Sequence, residues 1–369
     1  MAKAAFNRWQ CWGLLLVCLG GARATEPEGV AAAWTAAPVL HGRITAQELG
    51  LVINTADPYS VSVGEYYARR RSIPPGQVLR VALPRRASLT REEFAALDEA
   101  IRSRMPPQVN GLALAWVQPY AVECNSLTSA LGMGLQPDLC ARSCAATRAN
   151  PYLGYTGARP WPVLGLRPAM QLAARSVPAA LAMIERGIAA DHTRAAGAEP
   201  AMAWLAATPD AYRNVREQLF PPAGPVPGVP CLAVGRVRSD ALPPLRRTLV
   251  YETGLARVPA PLGGEWLPGA LADHLTSFGG QLDRGADDGQ MNILDWIDAG
   301  ATASYGTVSE PCNHVQKFPH PQWLLQFYGQ GISALEAYWR SVAWPGQGVF
   351  VGEPLAAPFA PVPASAAAP

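Results

Sequence analysis

The stretch 49–54 (LGLVIN) constrains the fold more than any other part of this chain. It is continuously apolar, as a strand buried on both faces is, and lacks the alternation of a half-exposed one. Such a strand needs a layer above it and a layer below it, and the following residues supply them. Asp57 and Pro58 suit the N-cap and first position of a helix, and Val63, Tyr66 and Tyr67 follow at helical spacing. Residues 78–83 (VLRVAL) give a second strand. Thr90 and Glu93 form a capping box, Phe94, Leu97, Ile101 and Met105 share one helical face, and Pro106-Pro107 stops that helix. Residues 111–117 (GLALAWV) give a third buried strand. This β-α-β-α-β order predicts an α/β fold built on a doubly wound, mostly parallel sheet with helices on both faces.

Residues 120–162 then interrupt the alternation with a long insertion that carries Cys124, Cys140 and Cys144; loops of this length are functional or cross-linked. A helical stretch is expected from about Pro168, with Leu181, Ile184 and Ile188 on one face. Residues 201–207 (AMAWLAA) read as a strand, and Thr208-Pro209 as the start of a helix bearing Tyr212, Val215 and Leu219. In the last third, 248–251 is a short strand and 271–278 is either strand or helix end. Ile293, Trp296 and Ile297 mark a helix that stops at Gly300, and 301–305 is a strand. Ser333 and Glu336 cap a helix with Leu335, Tyr338, Trp339 and Val342 on one side, and 349–351 closes the pattern. One α/β domain is expected over 49–355 after a lead-in at 25–48, with the Ala/Pro residues 356–369 as a disordered tail.

The first residues read as a secretory leader over 1–24. Lys3 and Arg8 precede a short apolar run (CWGLLLVCLG), and Ala22-Arg23-Ala24 is an A-x-A cleavage site. Cleavage there takes the net charge from +2 to −1. A near-neutral chain has no basic footprint for nucleic acid, and nothing after the leader is long and apolar enough to span a membrane. Five cysteines remain: Cys124, Cys140, Cys144, Cys231 and Cys312. Export lets them oxidise, so Cys124 is expected to pair with Cys140 or Cys144. The spacings of Cys124, Cys140 and Cys144 include no C-x2-C pair and no neighbouring His, which argues against zinc. Without a P-loop, G-x-G-x-x-G or H-E-x-x-H, no cofactor and no metal is expected.

Several segments together resemble a family of secreted bacterial proteins of about this length, for which no activity is implied. They are LVINTADPYSV with EYYARRRSIP, YAVECNSLTSA, RPAM, PGALADHLTSFGG, GATASYGTVSEPCNH, ISALEAYW and VFVGEPL. More distantly, the order of elements resembles the gingipain-like cysteine peptidases of the caspase fold: residues 51–83, then 112–117, a Gly235-Arg236 turn and the last third. That resemblance implies a strand ending in His-Gly beside one ending in a nucleophilic Cys. Here LVYETG is followed by Leu255 where the His belongs, and LADHLTSF puts Thr276 or Ser277 near the Cys position. The resemblance therefore implies the peptidase fold with its catalytic dyad replaced.

Polar residues crowd at strand ends in the last third, where open α/β sheets place their sites. Asp273, His274 and Ser277 lie close enough in sequence for an imidazole to act on a hydroxyl, although no G-x-S-x-G elbow surrounds Ser277. In SEPCNH, Cys312 stands two residues from His314, with Glu310 as a nearby carboxylate. Cys312 reads either as an activated thiolate or as half of a disulfide. Asn54 and Asp57 read either as facing the same crevice or, for Asp57, as a helix cap, the cap being the favoured reading; Arg69-Arg70-Arg71 is expected to be a solvated helix end, and Gly352-Glu353-Pro354 a turn that closes the sheet. The expected function is a binding or structural envelope protein, with an envelope protein or a peptide as the kind of partner. The alternative is a hydrolase with a relocated site around 273–314.

Overall fold

The computed structural model describes residues 33–194, 198–259, 264–285 and 289–362. The leader expected over 1–24 and the last seven positions of the expected tail lie outside these residues. In chain order the elements are β1 (Leu49–Asn54), α1 (Pro58–Arg70), β2 (Val78–Val81), β3 (Ser88–Leu89), α2 (Arg91–Arg104) and β4 (Gly111–Leu114). The insertion carries β5 (Ala121–Val122), β6 (Asn125–Ser126), α3 (Leu127–Met133) and α4 (Pro160–Leu164). Then come β7 (Ala169–Gln171), α5 (Val177–Ala190), β8 (Ala201–Ala207), β9 (Gly224–Pro225), β10 (Leu232–Arg238), β11 (Thr248–Thr253) and β12 (Trp266–His274). The chain ends on α6 (Leu294–Ala299), β13 (Ala303–Thr307), α7 (Pro321–Gly329), α8 (Ala334–Ser341) and β14 (Gly348–Gly352).

Eleven strands form one sheet in the order β2-β1-β4-β7-β14-β13-β12-β11-β8-β10-β9. The pairings β1–β2, β1–β4, β4–β7 and β7–β14 are parallel, as are β13–β12, β12–β11, β11–β8 and β8–β10. Between the two groups, β13 and β14 pair antiparallel over five residues. The sheet is thus two parallel groups of opposite direction, with the short strand β9 added antiparallel to β10 at one edge. Successive residues of β1 serve opposite layers. Leu51 and Ile53 join the core under α1, where Gly64 meets Ile53, while Val52 packs with Phe94, Leu97 and Ile101 of α2. Helices therefore cover both faces, as the unbroken apolar strands require.

Asp57 caps α1 through the Tyr59 N–H at 3.1 Å, and the capping boxes at Thr90/Glu93 and Ser333/Glu336 are both formed. Four expectations need correction. Strand β4 stops at Leu114, because the carbonyls of Trp116 and Val117 turn to the Gln171 side chain at 3.1 and 3.3 Å. The stretch from Pro168 opens on the three-residue strand β7, too short to show a period, and its helix starts only after the Ser176 cap. Residues after Thr208 form a turn before a 3-10 helix, Asn214–Leu219. Asp210 takes the N–H groups of Tyr212 and Arg213, and Asn214 takes that of Thr208. The tail is ordered at least through Ala360. Ala356, Ala357 and Ala360 are buried, and the carbonyls of Ala356, Ala357 and Pro358 accept from Ala334, His192 and Arg194.

The lead-in is also fixed in place. Gln322, Gln326 and Gln330 recur every four residues along α7 and at its end. Their side-chain carbonyls accept the backbone N–H groups of Thr35, Ala37 and Leu40 at 2.7, 3.0 and 2.9 Å.

Candidate functional site

The opposite directions of the half-sheets separate residues that the sequence groups together. Asn54 ends β1 and Asp57 follows it, whereas Asp273 and His274 end β12, which runs in the opposite direction, so the two carboxyl ends point opposite ways. They do not share a crevice. Asp273 and His274 are themselves consecutive strand residues and point to opposite faces.

His274 is fully buried beneath α6. Its Nδ1 accepts the Trp296 indole N–H at 2.9 Å, so Nε2 carries the proton and donates to the Met291 carbonyl at 2.9 Å. Thr276 Oγ1 stands 3.2 Å from the same Nε2 and accepts the Gly279 N–H. Burial pulls the imidazole down to about 4, against the Met291 bond, so it is neutral. Both nitrogens are occupied, and neither bonds to Ser277 among the described residues. The Ser277 carbonyl instead accepts from Thr307 Oγ1 at 3.0 Å. The candidate Asp273–His274–Ser277 relay is not assembled, because Asp273 faces away and the His274 ring is locked.

Cys312 is half of a disulfide with Cys144, and Cys124 bridges Cys140. The thiolate reading of Cys312 is therefore corrected: its sulfur is consumed by the insertion. Cys312 and Asn313 adopt left-handed backbone, at φ +58° and +57°, and Glu310 Oε1 holds the Cys312 N–H at 2.7 Å. His314 lies edge-on to Trp344, 5.9 Å between centroids. Ser309 donates to the Cys124 carbonyl at 2.7 Å, and buried Lys317 donates to that of Ser143 at 2.5 Å. Burial lowers the Lys317 ammonium to about 8, with Glu310 opposing. SEPCNH is thus a clasp that docks the cysteine-bearing insertion onto the end of β13.

On the face opposite His274, Glu252 and Asp273 are register partners on β11 and β12, and both are fully buried. Arg216, from the 3-10 helix, reaches between them. Its Nη1 lies 2.6 Å from Asp273 Oδ1 and 3.6 Å from Glu252 Oε2, and Nη2 donates to the Thr253 carbonyl at 2.9 Å. Burial pushes both carboxyls up, Glu252 well above the usual range; the Arg216 charge opposes the shift in each. One guanidinium faces two carboxyls, and its hydrogen bond goes to Asp273, the nearer of the two. This segment fills the crevice where β8 and β11, adjacent strands, send the chain in opposite directions. Gly254 there lies against the Arg213 carbonyl. The second half-sheet's switch point is closed by the protein's own chain.

The first half-sheet has an open switch point. From β1 the chain moves outward to β2 and then inward to β4, and ligands of open α/β sheets bind where that reversal leaves a crevice beyond the strand ends. A cleft of about 400 Å³ lies there. It is lined by Asp57 after β1, Arg85 after β2, Gln118 after β4, Arg175 after β7, and Asp283 from the segment following β12. Arg85 is 63% exposed and only 3.5 Å from Asp57, which leaves most of its donors free. Asp283 accepts from Tyr120 Oη at 2.6 Å and from Gln118 at 3.0 Å, and Arg175 pairs with Asp295 and Asp298. Of these residues the sequence singled out only Asp57. The others sit in loops with no period, and the one available signal was their place just after strand ends.

The sequence matches no protein-family model and no curated protein.

One further expectation is corrected by the structure. Arg71 is not a solvated helix end: it forms a two-pronged pair with buried Glu353, at 3.0 and 2.6 Å, and also contacts Asp191. Among the described residues no group of three His, Cys, Asp or Glu side chains is placed to hold a metal ion.

Proposed function

We propose that this chain is an exported binding protein that keeps a peptidase-like α/β fold without peptidase chemistry. The observation that carries this reading is the dispersal of the candidate catalytic groups. Asp273 is neutralised by Arg216, His274 has both nitrogens engaged, Cys312 is oxidised, and Glu310 and His314 are used in the clasp. A nucleophile and its base need to lie within hydrogen-bond reach of one another, and no two of these five side chains do. The gingipain-like order of elements and Leu255 at the His position agree with a fold that lost its dyad. The leader-like N-terminus and the two disulfides support an oxidising, exported setting. The open cleft at the β1/β4 switch point carries charges of both signs, which suits a peptide or a polar segment of an envelope protein.

The test is to incubate the protein beginning at Thr25, and its Cys312→Ala variant, with a broad peptide library and a thiol-reactive probe. The expected result is no cleavage by either and no labelling of Cys312 in the native protein. Cleavage by the wild type that is lost in Cys312→Ala would make Cys312 a relocated nucleophile and overturn the reading. Arg85→Glu should weaken capture of library peptides without changing the melting temperature; unchanged capture would remove the cleft from the proposal.

A further inference from the structure

A second concavity lies away from the switch-point cleft, beside the ends of α2, α3 and α4. It encloses about 350 Å³, and its lining includes Arg102, Met133, Arg148, Pro151, Leu164 and Leu166. No carboxylate lines it. Arg167, directly after Leu166, is 2% exposed, and its guanidinium stacks on Trp161 at 3.7 Å from the ring centroid. Arg102 approaches the same ring at 5.8 Å. The Arg167 fork donates through Nε to the Val109 carbonyl at 3.0 Å and through Nη2 to that of Pro106, while buried Nη1 has no partner. The Arg148 guanidinium donates to the Met133 carbonyl, and the one acid in the group, Asp98, is taken by Arg102 at 2.7 Å. Three guanidinium groups therefore share one carboxylate around an otherwise apolar hollow.

We infer that this hollow is a binding site for a small organic anion, a carboxylate attached to an apolar body. Arg102 and Arg148 stand at its mouth as donors for the carboxylate. Met133, Pro151, Leu164 and Leu166 receive the apolar part. Arg167 lies behind the wall, and in its low-dielectric setting its unbalanced charge adds to the attraction. Burial and the Arg102 charge already pull Arg167 down to about 10, as expected of a cation that lacks its counter-ion. The competing account is that these arginines only cap the carbonyls of Pro106, Val109 and Met133. That account needs no ligand and gives no reason for an acid-free hollow.

Titration calorimetry with sodium octanoate separates the two accounts, with 1-octanol and inorganic phosphate as matched probes. Octanoate should bind saturably with one site per chain, and octanol and phosphate each more weakly. Arg148→Gln should lower octanoate affinity roughly tenfold, the loss of one charge-assisted hydrogen bond. Leu164→Glu, which leaves every arginine in place, should lower it comparably, and added salt should weaken binding. Thermal melts confirm that each variant is folded. Absence of saturable octanoate binding, octanol binding as tightly as octanoate, or both variants retaining wild-type affinity would each overturn the inference.

Discussion

Replacing Arg216 by Met tests the central electrostatic feature of the second half-sheet. The guanidinium is 2% exposed and lies 2.6 Å from Asp273 Oδ1. The substitution keeps an unbranched chain of similar reach and leaves Asp273 buried beside Glu252 with no cation. Breaking a buried ion pair from one side costs about 3–5 kcal/mol. For a chain of this length the entropy of unfolding is about 0.7 kcal/mol/K, so the melting temperature should fall by roughly 4–7 °C at pH 7. The pH dependence follows from the sign of the shifts. Both carboxyls have folded-state pKa values raised above their ordinary 4.5 and 3.8. Their contribution to stability is therefore fully present below about pH 4 and is lost as pH rises through the folded values. Without Arg216 both shift further up, and the variant loses more than the wild type between acid and neutral pH. Melts followed by circular dichroism at pH 4.5 and pH 7 should show the gap between the two proteins narrowing in acid. Glu252→Gln, which removes the carboxyl that burial pushes well above its ordinary range and keeps its shape, should melt at or above the wild-type temperature at pH 7. A gap below about 1.5 °C at pH 7, or one that does not narrow in acid, refutes the argument.

His274 should remain neutral through pH 5 in nitrogen-detected NMR titration, because burial holds it near 4. Its depressed value makes its share of stability present above about pH 6.5 and lost as pH falls toward 4; a ring titrating near 6.5 would mean the Trp296 bond is not formed. The Cys144–Cys312 bridge closes a loop of 168 residues, and the chain-entropy relation gives about 5 kcal/mol for its removal. The Cys144→Ser, Cys312→Ser double variant should thus be far less stable to urea than the wild type. Equal urea midpoints would show that the clasp contributes through packing alone.

The fold was largely legible where a period or a cap carried it. The unbroken apolar runs at 49–54 and 111–114 required cover on both faces, and the structure supplies α1 and α2. Three capping residues, Asp57, Thr90 and Ser333, start helices where the sequence placed them. Strand β7 was not legible, because three residues held between β4 and β14 owe their extension to their neighbours rather than to their own pattern. The Ala/Pro composition of 356–360 likewise said nothing of its packing. Ala and Pro lose little side-chain entropy on burial, so a composition that suits a loose tail also suits an ordered strap with its carbonyls bonded.

The candidate site was legible in its residue types and not in its geometry. Apolar period carries no strand direction, so the antiparallel β13–β14 junction, which sends the two halves opposite ways, could not be read from the sequence. Without that reversal, Asp57 and Asp273 look like neighbours across one crevice. With it, there are two crevices with different fates. At the β8/β11 crevice, Arg216 enters from a segment whose sequence suggested an ordinary amphipathic helix, and its charge turns Asp273 from a base into the counter-ion of a core guanidinium. At the β1/β4 crevice the polar side chains of five separate loops, Asp283 of the segment after β12 among them, line an open cleft. The same sheet logic that makes strand ends the place to look for function thus predicts one open crevice and one filled from within. Replacing the filler, as Arg216→Met does, tests stability, whereas replacing Arg85 tests binding.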